Sequence, residues 1–416
     1  MIWPGFIQPL GVRERRPLEL LLVHQNFPGQ FRELAPAWLA AGHRVSAIGT
    51  RPAVELEANG WSGLRYHPYQ CPNGADHAAA IQHHASALRD DERLNPDLVI
   101  AHSGWGEAEP LKQIWPEASL IVYPELWGSE RALGAGFDPQ VNQLSEEDCQ
   151  AIAAQNARTA RALQGADAAV VPTRFQRDTF PANLRSRLAL IHEGINTARL
   201  MPDPQASLTL ANGQTFNRSQ RLITYVSRRF ERLRGLHTFL AALPPLLAAD
   251  PDLQVVMVGG SGSGYGLEAD HPQTQLEQAL AQLPAALLHN RLHLLGALPY
   301  ADLCKLLQIS SAHVYLTYPY TLSWSLLEAM ACGAPVVSNH SGPAAEVIAS
   351  GRNGLLIDFN QPRELSRALR RLLADPVYAR TLGANARRTV QHHYSLPLAL
   401  ARYNQLFKTL LAPASR

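Results

Sequence analysis

The sequence predicts an α/β protein built from two Rossmann-like, doubly wound domains, and three observations carry that prediction. Short, largely apolar runs alternate with amphipathic stretches from Leu18 onward. The alternation stops once, between His192 and Gln220, where prolines, Gly213 and polar residues gather. It then resumes with the same rhythm. Strands separated by helices imply parallel sheets, and an interruption of this kind divides them into two.

The first strand is Leu18-Glu19-Leu20-Leu21-Leu22-Val23-His24, short and apolar enough to be buried in a parallel sheet. A turn-rich loop, Asn26-Phe27-Pro28-Gly29-Gln30, leads into a helix expected from Phe31 to Ala41, with Gly42 at its C-terminal cap. Arg44 to Ile48 completes a βαβ unit. Asp97 to His102 and Ala118 to Tyr123 are the next strands. Ser145 opens a helix to Leu163, with the acidic Asp148 three places after the cap, and Ala168 to Val171 follows as a strand. Beyond the connector, strands are expected at Leu222 to Val226, Gln254 to Gly259, Leu292 to Gly296, Ala312 to Leu316 and Ala334 to Ser338. One helix is expected from Leu236 to Ala249.

The bulk properties narrow the function classes. A chain of 416 residues is long for one core, and 46% hydrophobic with 17% charged residues describes a folded protein. A formal net charge of +2 gives no reason to expect nucleic-acid binding. Cys71, Cys149, Cys304 and Cys332 are far apart, which argues against a zinc ribbon or a disulfide framework and fits a reducing, cytoplasmic setting. No apolar run reaches the roughly 18 residues of a membrane span. Residues 1–16 place their basic stretch after the apolar part, the reverse of a signal peptide, and read as a poorly ordered extension.

In doubly wound sheets, ligands bind beyond the carboxyl ends of strands, and with two such domains the cleft between them is the natural site. Glu328 lies on a helix expected from Ser323 to Cys332, among Leu326, Leu327, Ala329 and Met330. A lone helical glutamate is ordinarily solvent-facing, but a charge in so apolar a helix needs a partner. The helix N-terminus at Ser323 and Ser325 is a phosphate seat, and Glu328 falls one to two turns in, at the reach of a ribose. Arg228, Arg229, Arg232 and Arg234 follow a strand directly, and forked guanidinium donors suit a pyrophosphate. Arg232 is expected to be the solvated member. The run Gly259-Gly260-Ser261-Gly262-Ser263-Gly264-Tyr265-Gly266 also follows a strand, and fits either a ligand-side turn or a flexible hinge loop.

In the first half, Gly29 sits at a strand-to-helix turn. His102-Ser103-Gly104-Trp105-Gly106-Glu107 follows another strand end, with an indole for stacking and an imidazole for hydrogen bonding or proton transfer. The alternative for His102 is a satisfied structural histidine. Glu125 ends the next strand and is placed in the same cleft. His83, His84, His392 and His393 lie on helical stretches and read as surface residues. No histidine or carboxylate cluster has metal-ligand spacing.

The second half, through Ser227 to Gly235, Val255 to Gly260, Leu294 to Leu303, Ser323 to Val337 and Gly351-Arg352-Asn353-Gly354-Leu355-Leu356-Ile357-Asp358, resembles the family 4 glycosyltransferases of GT-B fold. The first half is similar to one bacterial subgroup, through His24-Gln25-Asn26-Phe27-Pro28-Gly29-Gln30-Phe31, Ser103 to Glu107 and Pro172-Thr173-Arg174-Phe175-Gln176. The resemblance implies an acceptor-side domain over 17–195, a nucleotide-sugar domain over 196–394 and, over 395–416, a helix returning to the first domain. It implies a retaining, metal-independent transfer from a UDP- or GDP-sugar, with no bound cofactor, to a glycan, glycolipid or small-molecule acceptor. Peripheral contact with the inner membrane face is the usual setting of relatives.

Donor contact is then expected at Gly29, Arg228, Arg234, Gly260, Tyr320, Leu322, Ser323, Trp324 and Glu328. Acceptor contact is expected at Gln30, Trp105 and Gly106, and catalytic roles at His102 and Glu125. Tyr320 is a departure, since it occupies the place of the first of the family's two glutamates and brings no carboxylate. Two rivals remain: a nucleotide-sugar epimerase of the same fold, and a non-catalytic sugar-nucleotide-binding subunit.

Overall fold

The computed structural model describes residues 16–53, 61–71, 76–260 and 272–412. The expected disorder of the N-terminal extension concerns residues almost entirely outside these, as does the part of the glycine-rich run from 261 to 266. Contact density divides the chain into two units. One holds the residues up to Val122 with Gly165–Asp167, and the other Tyr123–Gln164 with Ala168 onward.

The first sheet contains β1 (Glu19–Val23), β2 (Arg44–Gly49), β3 (Arg65–Pro68), β4 (Leu98–His102), β5 (Ser119–Tyr123), β6 (Ala168–Val171) and β7 (Leu188–Leu190), in the order β3-β2-β1-β4-β5-β6-β7. β1 pairs in parallel with β2, Leu20 opposite Val45, and with β4, Leu20 opposite Leu98. All five residues of β1 are buried, as both-face coverage of a parallel strand demands. Its one charge, Glu19, is met by Arg44 at 2.6 Å and by Arg65.

The second sheet contains β10 (Leu222–Arg229), β11 (Gln254–Gly260), β12 (Leu292–Leu295), β13 (Ala312–Tyr315), β14 (Val336–Asn339) and β15 (Leu355–Ile357), in the order β12-β11-β10-β13-β14-β15. Between the sheets in sequence, a small antiparallel hairpin joins β8 (Ser207–Thr209) and β9 (Thr215–Asn217). It turns the expected irregular connector into structure, with Phe216 buried against the second core. Each large sheet reverses its winding once: the first between β1 and β4, the second between β10 and β13.

Helix boundaries depart from expectation where proline intervenes. The helix expected from Phe31 begins only at Leu34, after a short 3-10 turn over Gly29–Phe31. The expected span from Leu236 to Ala249 is two helices, Leu236–Ala242 and Pro244–Ala249, because Pro244 and Pro245 offer no N–H to carry the ladder through. The Ser145 start holds: its hydroxyl accepts from the Asp148 N–H at 3.0 Å, and the Asp148 carboxylate accepts from the Ser145 N–H at 3.3 Å. No helix among the described residues is long and apolar enough to cross a membrane. The C-terminal helix, Leu396–Leu410, starts where Ser395 bridges Ile195.

Candidate active site

The two winding reversals are where doubly wound sheets bind ligands. At the second one, a cavity of about 30 Å³ opens beyond the ends of β10 and β13, lined by Ser227, Arg228, Glu231, Arg234, Tyr315 and Ser323 among others. Arg234 is its most constrained charge. Its Nη1 donates to the Thr317 hydroxyl at 2.8 Å, the Tyr315 hydroxyl at 3.2 Å and the Thr321 carbonyl at 3.4 Å. Nε and Nη2 make no hydrogen bond to the described residues, so one edge of the fork stays available for an anion. Burial weighs against the charge, but Tyr315, Glu231, Tyr320 and Tyr225 outweigh it, and the Arg234 pKa lies above the ordinary arginine value.

Tyr315 joins this guanidinium to a helix terminus, because its hydroxyl also accepts from the Ser323 N–H at 3.0 Å. Ser323 caps the helix Trp324–Ala331, accepting from the Ser325 N–H at 3.3 Å. Glu328 lies one turn in and is only 3% exposed, with Leu326, Leu327, Ala329 and Met330 fully buried around it. Its Oε1 accepts from the Tyr300 hydroxyl at 2.8 Å. Trp324 opens the helix half-buried, and Leu322 packs on the second core.

The four arginines separate. Arg228 reaches the cavity beside Arg234. Arg229 instead lies across Gly260, where a Cβ would meet its Nη1 at 2.1 Å; Gly260 thus makes room for an arginine and does not line the cavity. Arg232, expected to be solvated, is the clear correction: it pairs with the buried Asp138 at 2.9 Å. Asp138 also accepts from the Tyr318 hydroxyl at 2.6 Å. A buried carboxylate attracts the nearest cation, and the sequence places the two 94 residues apart. Tyr320 sets its ring centroid 5.9 Å from the Arg234 guanidinium, so the aromatic at this departure faces the braced arginine.

The first winding reversal has different chemistry. His24 follows β1 and His102 ends β4, with ring centroids 4.9 Å apart, and Trp105 lies 4.7 Å from His102. The Gly104 N–H donates to Nδ1 of His102 at 3.0 Å. A neutral His102 that accepts this bond carries its proton on Nε2 and presents a hydrogen-bond donor there. Gly29 adopts φ +44°, and a Cβ on it would meet the His24 ring at 2.4 Å, so only glycine fits this turn against that ring. Gln30 buries its Oε1 without a partner among the described residues. Gly106 turns the chain with φ +99°.

Glu107, the last residue of the His102–Glu107 run, holds these loops together. Fully buried, it accepts from the Gln25 N–H at 3.0 Å and the Trp105 N–H at 3.2 Å, one from each loop. Glu125 lies in the other unit, half-buried with φ +59°, and its carbonyl accepts from Gln176 at 2.9 Å. His83, His392 and His393 are exposed, whereas His84 is half-buried. Among the described residues no group of histidine, cysteine or carboxylate side chains is placed to hold a metal ion. Asp138, Tyr300, Tyr315 and Thr317 escaped the sequence reading. Of these, only Tyr315 and Thr317 carried a signal, their place at a strand end.

Together these features define a two-domain, doubly wound α/β protein with an arginine-lined switch point. Residues 42–200 match the model of the glycosyl transferase family 4 group, and residues 210–389 that of glycosyl transferases group 1. The chain belongs to the family 4 glycosyltransferases, with the GT-B fold.

Among its relatives is the GDP-mannose-dependent alpha-(1-6)-phosphatidylinositol monomannoside mannosyltransferase of Mycolicibacterium smegmatis, 29% identical over 56% of this chain and 60% of the relative. The chain spans about half the length of the first curated relatives it matches, from 44% to 60%. Sucrose-phosphate synthase from Thermosynechococcus elongatus has a similar structure, with TM-score 0.72 and 20% identity over 94% of this chain and 99% of that one. Anabaena HepE in complex with UDP-glucose superposes with TM-score 0.71 and 15% identity over 94% of this chain and 100% of that one. At these identities the likeness to solved structures speaks for the fold.

Proposed function

We propose that the protein transfers a sugar, with retention and without a metal ion, from a UDP- or GDP-sugar to a glycan, glycolipid or small-molecule acceptor. The observation that carries this reading is the braced Arg234. Its unbonded fork edge shares a cavity with Arg228 and with the N-terminus of the helix bearing Glu328. Fixed donors at this place stabilise the charge on a departing nucleoside diphosphate without reorganising as the bond breaks. Glu328 accepts the ribose hydroxyls, and Gly29, Tyr320, Leu322 and Trp324 complete the donor contacts. Gly260 acts indirectly, by seating Arg229. The 17–195 half takes the acceptor through Gln30, Trp105 and Gly106. His102 donates from Nε2 to a sugar hydroxyl, which makes it a positioning donor in preference to a general base. Glu125 is the carboxylate assigned to the acceptor hydroxyl. GDP-mannose in the name of one relative and UDP-glucose bound to one structural neighbour support a nucleotide-sugar donor.

The test is equilibrium binding of UDP and GDP, followed by turnover of their sugars. Arg234→Ala is expected to weaken the preferred nucleotide about 10- to 100-fold, the scale of one or two hydrogen bonds to a charged group. An Arg234→Ala protein with full affinity and turnover would sink the diphosphate assignment. Donor binding without transfer across a broad acceptor panel would mark a non-catalytic subunit, and donor conversion without acceptor would mark an epimerase.

A further inference from the structure

We infer that Tyr300 is the positioning residue for donor recognition, fixing the Glu328 carboxylate in the orientation that receives the ribose. This rests on the reading of Glu328 as the ribose acceptor. A buried carboxylate needs donors, and the geometry shows how one is supplied. Tyr300 opens the helix Tyr300–Ile309 and donates its hydroxyl to Oε1 of Glu328 at 2.8 Å. An O–H to an ionised carboxylate is among the stronger hydrogen bonds. The bond uses one of about four acceptor sites on the carboxylate.

Tyr300 is itself held. The Arg199 guanidinium lies 4.7 Å from its ring centroid, an attractive placement that also polarises the phenol toward donation. Arg199 belongs to a turn in which its N–H reaches back to the Asn196 carbonyl at 3.2 Å. Arg387 clamps that turn, donating to the Thr197 carbonyl at 3.1 Å and the Leu200 carbonyl at 2.8 Å. The same guanidinium donates to the carbonyl of Ala331, the last residue of the helix that carries Glu328, at 2.6 Å. The contacts therefore close a ring: Glu328 to Tyr300, Tyr300 to Arg199, the Arg199 turn to Arg387, and Arg387 back to the Glu328 helix. Within that ring the tyrosine hydroxyl sets the carboxylate rotamer, and the other members set the tyrosine.

The experiment compares whichever of UDP and GDP binds more tightly with its 2′,3′-dideoxy counterpart, in the full chain and in Tyr300→Phe and Glu328→Gln. Phenylalanine keeps the ring, its packing and the Arg199 contact, and removes only the hydroxyl. Tyr300→Phe is expected to weaken the ribonucleotide about ten-fold while leaving the dideoxy nucleotide unchanged, so that discrimination between them shrinks. The KM for the nucleotide sugar rises and kcat at saturation stays as it was. Equal weakening of both nucleotides would overturn the inference, since it would mean a general packing role. If Glu328→Gln abolishes discrimination and Tyr300→Phe leaves it intact, the positioning role alone is lost. If Glu328→Gln also leaves it intact, the ribose reading of Glu328 fails.

Discussion

The two winding reversals occupy equivalent places in their sheets and share almost no chemistry. At β1 and β4 the groups are rings: His24, His102 and Trp105, braced by a buried carboxylate that holds two backbone N–H groups. At β10 and β13 they are charges and hydroxyls: Arg228, Arg234, Tyr315 and Ser323. A duplicated architecture thus supplies the same crevice twice, and the side chains at the strand ends decide what each crevice favours. Rings beside the Gln30 amide oxygen, which has no partner among the described residues, suit the faces and hydroxyls of a sugar, and forked guanidinium groups suit phosphate.

The sharpest way to break the comparison is to remove the charge bracing of the second region. Asp138 receives Tyr318 at 2.6 Å, Arg232 at 2.9 Å and the Gln140 N–H at 2.9 Å. Asp138→Ala removes the carboxylate that Arg232 and Tyr318 share, and the expected loss is about 3–5 kcal/mol of stability, read from the urea midpoint. A loss within 0.5 kcal/mol, the level of an ordinary surface substitution, would show that the second region does not depend on this ion pair.

A pH profile sharpens the same contrast. His237 lies 3.7 Å from Asp138, and burial, helped by the neighbouring Arg232, pushes its pKa down to about 4. The unfolded chain takes up this proton near pH 6.5, before the folded state can. Stability is therefore complete above that value and falls as the pH drops from about 6.5 to about 4, by up to about 3 kcal/mol for this group. Asp138 acts in a lower window. Burial opposes its charge, but the hydrogen bonds from Tyr318, Gln140 and Arg232 outweigh it, so its contribution disappears only as acid protonates it below the ordinary carboxylate pKa. His237→Gln should flatten the stability slope between pH 6.5 and 4 relative to the unsubstituted protein. An unchanged slope would place that acid sensitivity in other buried histidines, such as His192 or His313.

How much of this was legible in the sequence depends on the range of the interaction. The β1 run, the Gly42 cap and the Ser145–Asp148 pair are set by neighbours within a few residues, and each was readable from its own segment. The break at Pro244 and Pro245 is equally local, two missing N–H groups inside a run whose apolar periodicity is helical throughout. Glu328 stood out because its charge contradicted its helix. Asp138 offered nothing of the kind, since its meaning comes from Arg232 and Tyr318, which lie 94 and 180 residues further along the chain. Tyr300 is likewise unremarkable until the fold brings Glu328 to it.

The first region gives the smaller effect, because its brace is made of hydrogen bonds to backbone. Glu107 offers one carboxylate oxygen to the Gln25 N–H and the other to the Trp105 N–H. Glu107→Gln keeps the shape and one acceptor, but turns an amide NH2 toward a group that also donates. One buried N–H then loses its partner, at a cost of about 1–3 kcal/mol in the urea midpoint. The loops carrying His24 and His102 lose their tie, so turnover at saturating donor is expected to fall further than global stability alone explains. If turnover falls only in step with the folded fraction, the brace is structural and the ring-lined crevice does not need it. If turnover falls well beyond the stability loss of about 1–3 kcal/mol, the two regions differ as proposed: one is held by charge for the sake of the fold, the other by backbone hydrogen bonds for the sake of its geometry.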